Sequence, residues 1–117
     1  MKTGADLLAE VKARVKQVTV QDVLDMQQRG ERITLLDVRD LQEVTLGKIP
    51  GTVHLSRGNL EMKIEAAIAR EARVVIYCAT GNRSAFAAET MELMGYRDVA
   101  SMAGGFRAWV EAGGDVE

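Results

Sequence analysis

The chain holds one cysteine, Cys78, and the residues around it have the spacing of a nucleophile in a cradle. Arg73-Val-Val-Ile-Tyr-Cys78 is an apolar, β-rich run. Ala79, Thr80, Gly81, Asn82, Arg83 and Ser84 follow it and lead into an alanine-rich stretch of helical character. In open parallel sheets, ligands gather beyond the carboxyl ends of strands. Gly81 is able to take a positive φ there. A tight loop of this kind turns its backbone N–H groups inward as an anion-binding nest. A helix starting near Ser84 aims its free N–H groups and its dipole at the same point. Arg83 adds a cation able to fork onto an oxyanion. Such surroundings lower a thiol from about 8.5 toward roughly 3.5–7.5, so Cys78 is expected to be thiolate at neutral pH. The competing reading is a buried cysteine acting as a small hydrophobe. The sequence of strand, cysteine, glycine loop, arginine and helix favours chemistry.

Other residues invite a role. Asp37 and Arg39 fall at the end of a second β-rich run, where acid–base catalysis is tempting. The better reading is a scaffold, with Arg39 pairing to Glu43 or to a loop carbonyl. Arg57 follows a short strand and could bring a second cation to the Cys78 mouth; a solvated loop arginine is the competing view. The hydroxyls of Thr80 and Ser84 could hydrogen-bond the sulfur, and Ser84 also suits a helix N-cap. His54, flanked by Val53 and Leu55, reads as a hydrogen-bonded structural histidine rather than a ligand or base. One cysteine and one histidine do not make a Cys-rich metal site, and no metal or organic cofactor is expected.

The elements that must hold these residues are legible along 117 residues, a length that buries one core without staples. Hydrophobic residues are 47% and charged residues 27%, as in ordinary globular proteins. Lys and Arg number 15 against 17 Asp and Glu, a net charge of −2, which lacks the basic excess of a nucleic-acid binder. No apolar run suffices to span a bilayer. Met1 to Lys12 lacks the apolar core of a secretory signal. With a single cysteine, a reducing cytoplasmic setting is expected.

Leu7, Leu8, Val11, Val15 and Val18 share one face of a predicted helix, Asp6 to Val18. Residues 1–15 are read as a helical extension, able to cap the domain or to pair with a second copy, and 16–117 as the domain proper. Thr19 with Asp22 predicts a capped helix ending at Gly30. Ile33 to Val38 suits a strand buried on both faces. A short helix or turn over Arg39 to Leu46, a turn at Ile49-Pro50-Gly51 and a strand over Thr52 to Leu55 come next. A helix over Leu60 to Ala69, the Arg73–Cys78 strand, a helix from Ser84 to Met94, a strand over Asp98 to Met102 and a last helix after Gly104-Gly105 complete the chain. Strands alternating with helices predict an α/β fold with a mostly parallel sheet.

Four segments in this order resemble the rhodanese-like sulfurtransferases, here in single-domain form. Cys78-Ala-Thr-Gly-Asn-Arg-Ser84 looks like their active-site loop. Leu35-Leu-Asp-Val-Arg39 followed by Glu43 is similar to an early motif of the family. Gly47-Lys-Ile-Pro-Gly-Thr-Val-His-Leu55 resembles a Gly-x-Ile-Pro-Gly segment, and Gly104-Gly-Phe-Arg-Ala-Trp109 a closing Gly-Gly-x-x-x-Trp motif. The resemblance covers roughly residues 16 to 113. It implies a five-stranded sheet with helices on both faces. It also implies a persulfide on Cys78, formed from a thiosulfate-like anion and passed to cyanide or a thiol. A protein donor or acceptor in a sulfur relay is the alternative partner, and a non-catalytic binding domain a further one. Cysteine phosphatases of this fold resemble Cys-x5-Arg, whereas four residues separate Cys78 from Arg83 here. One departure bears on the donor: active relatives often carry a basic residue just after the cysteine, where this chain has Ala79. That departure points away from thiosulfate as the best donor.

Overall fold

The computed structural model describes all residues, 1–117. It contains β1 (Gln17–Val18), β2 (Thr34–Asp37), β3 (Val53–His54), β4 (Arg73–Tyr77) and β5 (Asp98–Met102). The helices are α1 (Gly4–Arg14), α2 (Val20–Gln28), α3 (Leu41–Thr45), α4 (Leu60–Ala67), α5 (Asn82–Leu93) and α6 (Gly105–Glu111). The five strands form one sheet in the order β1-β5-β4-β2-β3, and every pair is parallel. β4 is therefore central, with β2 and β5 as its neighbours.

Alternation along the strands sorts the core into two layers, because successive side chains leave opposite faces of a sheet. Val74, Ile76 and Leu36 pack with α1, α4 and α5 through Val11, Leu60, Ile64, Ala88 and Met91. Val75, Tyr77 and Leu35 pack with α2 and α6 through Val23, Met26 and Trp109. Helices thus cover both faces, as a parallel sheet requires. Cys78 continues the alternation of Val74 and Ile76 and belongs to the α5 layer.

Local signals explain the element boundaries. The Thr19 side chain accepts the Asp22 N–H, and the Asp22 carboxylate accepts the Thr19 N–H, closing the expected capping box on α2. The predicted first helix differs from the observed one. It begins at Gly4 behind a Thr3–Asp6 capping box and ends at Arg14 rather than Val18. Gln17 and Val18 instead pair with Ser101 and Met102 as an edge strand. Val11 and Val15 are buried against the body of the domain, and Arg14 forms an ion pair with Glu89 on α5. No helix is long and apolar enough to cross a membrane.

Candidate active site

The Cys78 loop is shaped from both ends. β4 delivers Cys78 one residue beyond Tyr77, 1% exposed. Gly81 then turns the chain at φ +102 and caps α5. A Cβ there would lie 3.2 Å from the Gly104 nitrogen. α6 holds the loop from the other side. Phe106 N–H donates to the Cys78 carbonyl at 2.8 Å, and Arg107 N–H donates to the Ala79 carbonyl at 3.1 Å. Gly105 has φ +57, and a Cβ at this position would stand 2.4 Å from the Cys78 carbonyl oxygen. The Gly104-Gly105 pair is thus the shelf on which the loop rests. With two loop carbonyls bonded to α6, the N–H groups that follow are free to face the sulfur.

They converge on it. Gly81 N–H donates to Cys78 Sγ at 3.1 Å and Ser84 N–H at 3.4 Å. The Ser84 hydroxyl lies 3.5 Å from Sγ and 2.8 Å from the Ser101 hydroxyl. That hydroxyl can accept from a thiol or rotate to donate to a thiolate. Burial pushes the Cys78 thiol up. The Ser84 hydroxyl and the N–H groups of Ser84, Gly81 and Thr80 outweigh it, and the net direction is down. These are hydrogen bonds to the charged form, the arrangement that favours ionisation.

The structure corrects two expectations about the loop. Ser84 is not the N-cap; Gly81 is, and Ser84 is the third residue of α5. Its N–H therefore belongs to the unpaired first turn and is free to reach Sγ. Thr80 acts through its backbone N–H. Asn82 opens α5 and is exposed.

A third correction concerns the pairing of charges. Of the two partners expected for Arg39, Glu43 and a loop carbonyl, it takes the carbonyl and not Glu43. Its guanidinium donates to both Asp37 oxygens, at 2.8 Å to Oδ2, and to the Gly47 carbonyl at 2.8 Å. It also lies 4.3 Å over the Phe106 ring. Asp37 is 0% and Arg39 4% exposed, so this is a buried scaffold joining β2 to the Gly47 segment. Glu43 instead takes Arg83 in a two-point fork, Nη1 to Oε1 at 2.7 Å and Nη2 to Oε2 at 2.9 Å. The Arg83 hydrogen bond lowers the Glu43 carboxyl to about 2, against the opposing effect of burial. Arg83 is raised in turn, first by Glu43, with the negative charge of Cys78 also contributing. Arg57 is bound to Glu61 at 3.1 Å and to the Thr90 hydroxyl at 3.0 Å. Arg57 is therefore already committed to α4 and α5.

The remaining motif residues are structural. His54 Nε2 lies 2.8 Å from the Arg39 carbonyl oxygen. Ile49 is buried, and its N–H donates to the Tyr77 hydroxyl at 3.2 Å. No group of three or more His, Cys, Asp or Glu side chains is gathered to hold a metal. The two surface cavities, of about 370 and 270 Å³, involve Arg32, Thr34, Glu71, Arg73 and Arg97. Thr34 and Arg73 start β2 and β4, so the larger cavity sits at the amino ends of the strands, the end of the sheet opposite Cys78. A site built to hold one sulfur atom needs no such volume.

The family model for the rhodanese-like domain matches residues 19–112. A thiosulfate sulfurtransferase, GlpE of Pseudomonas fluorescens, is 36% identical over 81 residues, 69% of this chain and 73% of that protein. YrkF of Bacillus subtilis, provisionally named a sulfur carrier protein, is 27% identical over 109 residues, 93% of this chain. The match spans 58% of YrkF, so that protein is considerably longer than the region shared. Among solved structures, the Rhodopseudomonas palustris protein RPA3614 superposes with a TM-score of 0.90 at 35% identity. It covers 100% of this chain and 96% of the neighbour, a protein of unknown function described as a possible tyrosine phosphatase. On the family match across most of its length and the fold that carries the Cys78 loop, the chain belongs to the rhodanese-like domain family.

Proposed function

We propose that this protein is a sulfurtransferase that carries sulfur as a persulfide on Cys78. The observation that carries the reading is the convergence of the Gly81 and Ser84 N–H groups on Sγ. In the first step the thiolate attacks the outer sulfur of thiosulfate or a related sulfane-sulfur donor. A sulfur–sulfur bond forms on Cys78 while the donor's own sulfur–sulfur bond breaks, and its electron pair leaves with sulfite. In the second step cyanide or a thiolate attacks the terminal sulfur, and the electron pair returns to Cys78 as thiolate. Charge is conserved in both steps, and no general base is needed. The N–H groups of the loop are preorganised for the anionic sulfur, which removes the cost of reorienting dipoles during transfer.

Loop length separates this reading from the phosphatase one. Four residues between Cys78 and Arg83 leave a cradle for one sulfur rather than for a tetrahedral phosphoryl group. A second reading, a carrier that exchanges sulfur only with partner proteins, is favoured by a specific observation. Arg83 and Arg57 are both already bound to carboxylates, and position 79 is alanine, which weakens capture of a small free dianion.

Initial-rate kinetics test the two-step scheme. With thiosulfate and cyanide varied together, parallel double-reciprocal lines are expected, together with stoichiometric sulfite release when cyanide is omitted. Intersecting lines with no sulfite released before cyanide is added would contradict a covalent intermediate.

A further inference from the structure

The carboxylate of Glu43 occupies the same two guanidinium nitrogens of Arg83 that an incoming oxyanion would use. We propose that Glu43 is a specificity-determining residue that acts through Arg83. It fills the fork with an internal anion and turns the mouth of Cys78 against free, highly charged donors and toward donors of low charge, such as organic persulfides. The substrate class rests on the sulfur-transfer reading of Cys78; the charge selectivity does not.

Three observations support it. The fork is two-pointed and short, the geometry in which a planar guanidinium recognises carboxylates and other oxyanions. Glu43 is itself held in place, because its Oε1 accepts the Asp40 N–H at 3.0 Å in the capping box of α3. The carboxylate is also ionised throughout the neutral range, since Arg83 draws it down to about 2. An anion must therefore displace a pre-positioned, permanently charged competitor. The neighbouring cations are each paired with a carboxylate of their own, Arg57 with Glu61, Arg39 with Asp37 and Arg107 with Glu111.

The test compares alkylation of Cys78 by iodoacetate, an anion, and by iodoacetamide, its neutral counterpart, in wild type and Glu43→Gln. Glutamine keeps an oxygen for the Asp40 N–H, so α3 retains its cap. The fork is about one-third exposed, and its loss costs little stability. Freeing Arg83 is expected to raise the iodoacetate-to-iodoacetamide rate ratio by about tenfold at low salt, the scale on which charged clefts concentrate anions. The increase shrinks at high salt as the charge is screened. Glu43→Asp, which keeps the charge, is expected to keep the wild-type ratio. A general loosening of the loop changes both rates together and leaves the ratio alone. In turnover, Glu43→Gln is expected to lower KM for thiosulfate with a smaller change in kcat. A ratio that stays constant or falls in Glu43→Gln overturns the proposal. Alkylation requires no sulfur transfer, so a raised ratio in a protein that never loads sulfur upholds the role of Glu43 and removes the persulfide reading.

Discussion

Serine in place of Cys78 is expected to slow sulfur loading by about 10⁴-fold or more while the protein stays folded. The hydroxyl is a weak nucleophile at its own pKa, and no base stands beside it to activate it. The cradle lowers a thiol by hydrogen bonds to its ionised form; the same bonds do not bring a hydroxyl into the neutral range. The folded state should tolerate the change. Cys78 lies in the layer with Val74, Ile76 and Ala85, yet the Gly81 and Ser84 N–H groups already aim at this position. The new hydroxyl therefore inherits donors instead of being buried without partners, and stability should stay within about 1 kcal/mol of wild type. Single-turnover sulfite release and urea unfolding, measured on the same preparation, check both halves. A folded serine variant that still loads sulfur would remove Cys78 from the chemistry.

Arg39→Ala is expected to lower stability by about 3–5 kcal/mol, the cost of stranding one member of a buried ion pair. Asp37 is fully buried at the end of β2, and the residue 39 backbone N–H, 2.9 Å from Oδ1, and the neutral Tyr77 hydroxyl would be left to it without a compensating charge. The Gly47 carbonyl would lose its donor, and Phe106 its cation. The effect reaches the Cys78 loop by a short path. Arg39 ties the Gly47 segment to β2, and Phe106 N–H holds the Cys78 carbonyl. Arg39→Met restores apolar volume but leaves the Asp37 carboxylate unpaired, so it should recover little alone. Pairing it with Asp37→Asn removes the stranded charge and should recover part of the loss. Urea midpoints of the three variants measure this. A loss under about 1 kcal/mol in Arg39→Ala would mean that Asp37 does not depend on the guanidinium.

The residues that could be read from sequence were those whose signals are local. The Thr19–Asp22 capping box, the apolar runs of β2 and β4 and the Cys78 loop with its glycine all lie within a few residues of their partners. The two-residue strand β1 was hidden because Val11, Val15 and Val18 keep a helical spacing. Its pairing partners, Ser101 and Met102, lie far along the chain. Ser84 has the side chain of an N-cap, but Gly81 ends the loop by conformation rather than by a side chain, a signal that composition does not carry. Sequence offers Arg39 either Glu43, its near neighbour, or a loop carbonyl; it takes the Gly47 carbonyl, and the partner of Glu43 is Arg83, 40 residues away. The Gly104-Gly105 pair announced the start of a helix. Its closer purpose, a surface flat enough for the Cys78 loop to rest on, shows only when β4 and β5 stand side by side.

Intact-mass measurement tests the persulfide on Cys78 most directly. The protein is exposed to thiosulfate, or to an organic persulfide, freed of excess donor and weighed before and after cyanide. The expected result is a gain of one sulfur atom that cyanide removes as thiocyanate and that Cys78→Ser never acquires. No gain from either donor, or a gain that persists in Cys78→Ser, would contradict it.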